Sequence, residues 1–429
     1  MDVALSAYAV ALDYLFARTT GSFRFGLERT RSLLTALGDP QRSYPVLHIA
    51  GTNGKGSAVA TAEALLRAKG LRVGCYTSPH LVDFRERIVV GGIPMAEEDV
   101  VRFIEEWLPV VERVGASFFE ATTAMALHHF AQARVDVALL ETGLGGRLDS
   151  TNVVMPRAAG VTSIGLDHME YLGSTLKAIA AEKAGIFKAG VPAVIGEPDV
   201  QVRAWLADGA RRAGASSIRV IGEEMCIDEV KVSAAGTRFR LVALGDERTI
   251  HTPLIGLHQA TNLAFTLGLL DAAGDPFRVS LEEAAANLGA IRLPGRFQRV
   301  GRWIFDVAHN ADSARTLAGS IAALEHTSPV VILLGVLGDK DWRAMMDALA
   351  PVADLFILTS APTAPPSRAW SVSHAAAYAG ECGYAAETVA DFDAALARAE
   401  STGATVLVTG SFHTVGDAMT RLQLSPLSL

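Results

Sequence analysis

Between an apolar segment, Val46–Ala50, and a helical pattern over residues 57–69 lies the run Gly51-Thr52-Asn53-Gly54-Lys55-Gly56-Ser57. A strand, a glycine-rich turn, a lysine, a hydroxyl and a helix N-terminus in that order suit a phosphate. Glycines let successive backbone N–H groups point into one concavity, and the helix dipole adds partial positive charge there. Lys55 would reach the β- and γ-phosphates, and a following hydroxyl would hold Mg²⁺. The strict spacing G-x-x-x-x-G-K-[ST] is not met: Ile49 stands at the first glycine position, and Gly56 moves the hydroxyl on to Ser57. The plain alternative is an ordinary glycine-rich strand-to-helix turn. Alone, the run points to a nucleoside triphosphate and leaves the reaction open.

Around this loop, from residue 46 to about 193, short apolar runs alternate with amphipathic ones. Residues 72–76, 135–141 and 158–164 read as further strands. Their near-continuous apolar character fits strands buried on both faces, as in a parallel sheet flanked by helices. Over residues 218–252 the pattern changes to short β-prone pieces separated by Ala234-Ala235-Gly236 and Gly245-Asp246, which predicts a small antiparallel ribbon. Helical pattern resumes at 258–273 and 280–288, and Leu293-Pro294-Gly295-Arg296 interrupts it. A second α/β alternation follows, with strands expected at 303–306, 330–334, 355–359 and 406–409. Helices are expected at 311–324, 342–349, 373–379, 391–398 and 415–422. The predicted fold is α/β in two domains: a large P-loop-type parallel-sheet domain, 1–293, and a smaller Rossmann-like domain, 294–429. A length of 429 residues suits that division.

Composition narrows the partners. The 38 Lys and Arg against 46 Asp and Glu give a formal charge of −8, which argues against the basic face that nucleic acid requires. No apolar run approaches the ~18–20 residues that span a bilayer. The N-terminus carries Asp2 and Asp13 and no basic segment, unlike a secretory signal. The 3 cysteines, Cys75, Cys226 and Cys382, are too scattered for a metal cluster and odd in number for a disulfide framework. The expectation is a soluble, cytoplasmic protein acting on small molecules.

Mg²⁺ takes hard oxygen ligands, and parallel α/β sheets build sites at the C-terminal ends of their strands. Ser78, Glu141 and His168 fall at such ends. Ser78 before Pro79 has a plain reading as a turn residue, and His168 as a hydrogen-bonded loop histidine that is softer than Mg²⁺ usually takes. Glu141 is harder to dismiss, because a carboxylate finishing a buried strand is costly without a cationic partner.

The ordered motifs 48–57, Thr77-Ser78-Pro79-His80-Leu81, Glu141-Thr142-Gly143-Leu144-Gly145-Gly146, Leu166-Asp167-His168 and Lys183-Ala184-Gly185-Ile186 continue through 293–297, Asp306-Val307-Ala308-His309-Asn310 and Thr409-Gly410-Ser411. Together they resemble the folylpolyglutamate synthase/dihydrofolate synthase branch of the Mur ligase superfamily. The likeness runs from Phe25-Gly26-Leu27-Glu28-Arg29 to the last helix. It implies an ATP-dependent amide ligase that joins L-glutamate to dihydropteroate, reduced folates or both. The acceptor carboxylate would become an acyl phosphate, with release of ADP and then phosphate. Alternatives are another Mur-type ligase acting on a cell-wall precursor, or a non-catalytic ATP sensor.

By this resemblance Gly51, Thr52, Asn53, Gly54, Lys55, Gly56 and Ser57 hold ATP, with one Mg²⁺ at Ser57 and a second on Ser78, Glu141 and His168. Lys55, His168 and Lys183 would be catalytic. Lys183 matches a lysine carbamylated in the family; its plain alternative is a solvated helix lysine. Asn262 matches a contact on the adenine side, Arg296 one to the terminal phosphates, and Asp306 and His309 contacts from the second domain. Val307 departs from the family's glycine. Arg296 could instead pair with a surface carboxylate, and Asp306 could cap the next helix. On the folate side, Phe84 and Phe119 would contact a planar ring, and Arg85 or Arg147 a carboxylate. The family leans towards monomers.

Overall fold

The computed structural model describes residues 6–19, 26–324 and 329–428; Phe25 and Asp2 lie outside these ranges. The first lobe is built on eight strands: β1 (Val46–Ala50), β2 (Val73–Tyr76), β3 (Ile88–Val90), β4 (Ile93–Pro94), β5 (Val137–Glu141), β6 (Ala158–Val161), β7 (Ala193–Ile195) and β8 (Ile218–Val220). Their order is β4-β3-β2-β5-β1-β6-β7-β8. From β2 to β8 the neighbours run parallel, and the β3–β4 hairpin is added antiparallel at one edge. Every residue of β1 and of β5 is buried, as their unbroken apolar character requires between two helical layers.

The glycine-rich run joins β1 to the helix Lys55–Ala68, which begins two residues earlier than the pattern suggested, because Gly54 at φ 90° serves as its N-cap. Lys55, Gly56 and Ser57 therefore occupy the first turn, where backbone N–H groups lack helical partners.

Residues 218–220 were expected in the antiparallel ribbon. They instead form β8, paired parallel to β7 with Ala193 opposite Ile218. The ribbon is β9 (Cys226–Ser233), β10 (Gly236–Ala243) and β11 (Asp246–Thr252). A three-residue strand is too short to show a period, so its sheet is set by packing. The helices Ala7–Phe16 and Glu28–Ala36, unassigned in the sequence, pack on Glu97–Val114 and Phe118–Gln132.

The second lobe has β12 (Gln298–Val300), β13 (Trp303–Phe305), β14 (Val330–Leu334), β15 (Leu355–Leu358), β16 (Ala386–Thr388) and β17 (Thr405–Thr409), in the order β12-β13-β17-β14-β15-β16. All neighbours are parallel except β12. The last helix, Phe412–Arg421, starts before the expected 415 because Ser411 caps it, its side chain accepting from Thr414 N.

The lobes meet without clearance. A Cβ on Gly165 would overlap Asp312 Oδ2, and one on Gly416 would overlap the Leu81 carbonyl oxygen. Among the described residues no helix is long and apolar enough to cross a membrane, and Cys75, Cys226 and Cys382 are free thiols.

Candidate active site

The phosphate loop is braced by the segment after β6. Thr52 N donates to Ser163 O at 2.6 Å, and the Asn53 carbonyl accepts from Thr162 Oγ1 at 2.7 Å and Ser163 Oγ at 3.1 Å. Asn262, in the helix His258–Ala273, lies directly over Gly54, where a Cβ would overlap its Oδ1. Gly54 thus serves both a left-handed backbone and a close approach.

Two ammonium groups share one carbonyl oxygen of this loop. Lys55 Nζ donates to Gly51 O at 3.0 Å and Lys183 Nζ to the same atom at 2.8 Å. Lys55 also donates to Thr52 O at 3.2 Å and lies 3.6 Å from Glu141 Oε1. Lys183, from the helix Leu176–Ala184, is only 5% exposed, so the solvated-lysine alternative fails. Burial, and then the charge of Lys55, push its pKa down to about 7 against the pull of Asp167, Asp149 and Glu141.

Glu141 ends β5, and burial raises its pKa although Lys55, Arg296 and the Ser78 N–H, 3.4 Å from Oε2, favour the anion. The adjacent Thr142 Oγ1 is buried without a hydrogen-bond partner among the described residues. A cation would complete this under-partnered carboxylate. Among the described residues no three His, Cys, Asp or Glu side chains converge as a metal cage. The hydroxyls of Ser57 and Ser78 and the Glu141 carboxylate are hard oxygen donors of the kind Mg²⁺ takes beside several waters, and the His168 imidazole is the softer member of the set. Because its environment favours neutrality, Glu141→Gln is expected to leave stability intact or raise it by about 0.5–2 kcal/mol, as thermal unfolding at pH 7 would read.

His168 has a left-handed backbone, φ 50°, and a side chain 39% exposed, with Nε2 3.9 Å from Asp167 Oδ1. Partial burial and the charges of Lys340, His309 and Lys183 lower its pKa, with Asp167 opposing. Asp167 gathers the second lobe: Lys340 Nζ pairs with Oδ1, while His309 Nε2 and Asn310 Nδ2 each lie 3.3 Å from Oδ2. Asn310 Nδ2 also reaches Asn53 Oδ1 at 3.3 Å.

Arg296 is half-buried over the Phe412 ring, 5.1 Å from its centroid. Burial lowers its pKa, and Asp306 and Glu141 oppose that shift; its charged neighbours are thus cleft groups, contrary to the surface-pair alternative. Asp306 does not cap the following helix. Its oxygens accept from Phe297 N and Ala308 N, each at 2.9 Å, and Asn310 is the cap. Val307 is buried, donates to Gly295 O at 2.9 Å, and is absent from the positive-φ residues, so the departure from glycine carries no backbone strain. His309 Nδ1 lies 2.8 Å from Val307 O.

The four residues expected on the folate side lie in different settings. Phe84 is 2% exposed, a core side chain edge-on to His80 and Phe118 at 6.2 Å. Arg85 is held by Asp83 at 2.8 Å and Glu97 at 3.3 Å, and Arg147 by Glu182 at 2.8 Å. Phe119 stays half-buried, lying where a Cβ on Gly143 would be and 5.9 Å from the Tyr76 ring.

The arginine the sequence did not single out is Arg87. It is 7% exposed, donates from Nε to His80 Nδ1 at 2.7 Å, and lies 5.1 Å over Phe118. No carboxylate among the described residues lies within ion-pair range of it, and burial lowers its pKa against the pull of Tyr76, Glu86 and Glu141. The alternation Arg85–Glu86–Arg87 gives no sign of which arginine turns inward.

Residues 49–270 match the Mur ligase middle domain, and residues 295–412 match the Mur ligase, glutamate ligase domain. The chain is 37% identical over 420 residues to the dihydrofolate synthase/folylpolyglutamate synthase of Escherichia coli (strain K12), covering 97% of this chain and 96% of that protein. Its fold matches Mycobacterium tuberculosis folylpolyglutamate synthase complexed with ADP and AMPPCP, with TM-score 0.90, 34% identity, and coverage of 98% and 100%. A bifunctional folylpolyglutamate synthase/dihydrofolate synthase with Mn, AMPPNP and L-glutamate bound matches with TM-score 0.84, 34% identity, and coverage of 96% and 98%. The chain therefore belongs to the dihydrofolate synthase/folylpolyglutamate synthase family of Mur ligases, which are ATP-dependent ligases.

Proposed function

We propose that this protein uses ATP to join L-glutamate to dihydropteroate and to reduced folates, releasing ADP and phosphate. The observation that carries this is the meeting of Lys55 and Lys183 on the Gly51 carbonyl beside Glu141, in a cleft faced by Arg296, Asp306 and His309. The relatives named for both activities, and the one holding a nucleotide analogue, Mn and L-glutamate, agree with it.

The amides of residues 51–57 and Lys55 hold the triphosphate, Asn262 faces the base, and Arg296 faces the terminal phosphates. An oxygen of the acceptor carboxylate attacks the γ-phosphorus, and the bond to the ADP oxygen breaks. The amino group of L-glutamate then attacks the acyl carbon, loses a proton, and phosphate leaves. Most of the rate comes from positioning and charge neutralisation. Ser57 would hold one Mg²⁺, and Ser78, Glu141 and His168 a second; bound there, divalent ions lessen the repulsion between two anions that must meet.

A Lys183 amine with pKa near 7 is partly neutral at physiological pH, the form that adds CO₂. The resulting carbamate would replace repulsion from Lys55 by attraction. The lobes divide at Leu293-Pro294, and because one chain supplies both sides of the cleft, the working unit is a monomer. Its place is the cytoplasm, where free thiols persist.

On the acceptor side, Arg87 replaces Arg85 and Arg147 as the cation, with Phe119 as the ring contact. Arg87→Met is expected to raise KM for dihydropteroate or folate about tenfold, the worth of one charge-assisted hydrogen bond, with KM for ATP near wild type. Steady-state titration of each substrate checks this. The overall assay is ADP release by purified protein with ATP, Mg²⁺ and L-glutamate. Each acceptor is supplied separately, and no glutamate-dependent release with either one would overturn the assignment.

A further inference from the structure

Asp167 stands where the two lobes touch and next to a residue with left-handed backbone. Its Oδ1 accepts from the His168 backbone N at 2.8 Å, pinning a non-glycine residue at φ 50°, ψ 38°. That conformation costs roughly 1 kcal/mol for a side chain with a Cβ. The same carboxylate is 8% exposed and takes Lys340, His309 and Asn310, all from the other lobe. The Lys340 side chain is itself 8% exposed. Two residues before Asp167, Gly165 lies against Asp312 of the second lobe, so the docking is tight along the whole turn.

We propose that Asp167 is a positioning residue through which docking of the second lobe holds His168 in the conformation that presents its ring to the cleft. This rests on the assignment of His168 as a metal ligand. When the lobes part, the carboxylate loses three donors at once. Opening also brings water to the carboxylate, which competes with the His168 amide for its oxygens and loosens that hold. The turn then relaxes from its left-handed state. Docking and divalent-ion binding are therefore coupled, and by reciprocity each strengthens the other. Lys340 contributes although it is itself no ligand.

The test uses the full chain with a non-hydrolysable ATP analogue and Mn²⁺. Free Mn²⁺ is followed by electron paramagnetic resonance, and the same samples are measured by X-ray scattering. Lys340→Met is expected to weaken Mn²⁺ binding about tenfold, within the usual range of such couplings, and to enlarge the radius of gyration. Lys340→Arg keeps the charge and is expected to bind Mn²⁺ near wild-type strength. Asp167→Asn keeps an acceptor for the His168 amide but loses the charge, and is expected to behave like Lys340→Met; it decides the matter should that variant fail to fold. Unchanged Mn²⁺ affinity in a folded Lys340→Met protein, whether or not the lobes open, overturns the proposal. So does a Lys340→Arg variant as weak as Lys340→Met. Neither readout needs turnover, so a wild-type protein that couples Mn²⁺ to docking but releases no ADP would overturn the ligase assignment alone.

Discussion

Lys55→Ala lowers glutamate-dependent ADP release by ~10²–10³-fold, the usual loss when one electrostatic contact to a developing charge is removed. Lys55 is placed for that role by the loop itself: two carbonyls of the loop and the Glu141 carboxylate fix its ammonium in the first helical turn. Because the contact grows as charge develops on the phosphoryl oxygens, the loss should fall on kcat more than on KM for ATP. The variant should fold, since Gly51 O keeps Lys183 as a donor. Steady-state kinetics with saturating acceptor and glutamate measure the effect. A variant with kcat within threefold of wild type would remove Lys55 from the chemistry.

Lys183→Ala is expected to cost about 10²-fold in kcat or more, for a different reason. Its pKa near 7 means that acid conditions protonate the amine and oppose addition of CO₂, while mildly alkaline conditions favour it. Wild-type activity in CO₂-depleted buffer should therefore fall more steeply below pH 7 than in bicarbonate-supplemented buffer. The residual activity of Lys183→Ala should not respond to bicarbonate at any pH. Lys183→Arg, which keeps a cation but cannot be carbamylated in this way, should be as inactive as Lys183→Ala. If Lys183→Arg retained wild-type turnover, the side chain would be acting as an ammonium and the carbamate would be excluded.

What could be read from the chain follows a physical divide. β1, β5 and β14 were legible because strands buried on both faces must be apolar throughout. Glu141 stood out because a carboxylate ending such a strand needs a cation, and Lys55 is there. Short-range geometry was less visible. Phe84, Arg85 and Arg87 share one 3₁₀ turn, and only its orientation sends the first into the core, the second to Asp83 and Glu97, and the third over the Phe118 ring. Long-range pairing was invisible. Lys340 follows Asp167 by 173 positions, and nothing local marks either as the other's counterion.

The absence of clearance at Gly416 bears on the timing of catalysis. The helix carrying it rests on the Leu81 carbonyl, in the same segment that runs from Ser78 to Arg87. The second lobe cannot swing outward without unloading that loop, so on the acceptor site proposed at Arg87 and Phe119, nucleotide grip and acceptor admission would share one movement. A larger residue at 416 would act as a wedge, leaving a protein that still takes up nucleotide yet is propped ajar before the first phosphoryl step.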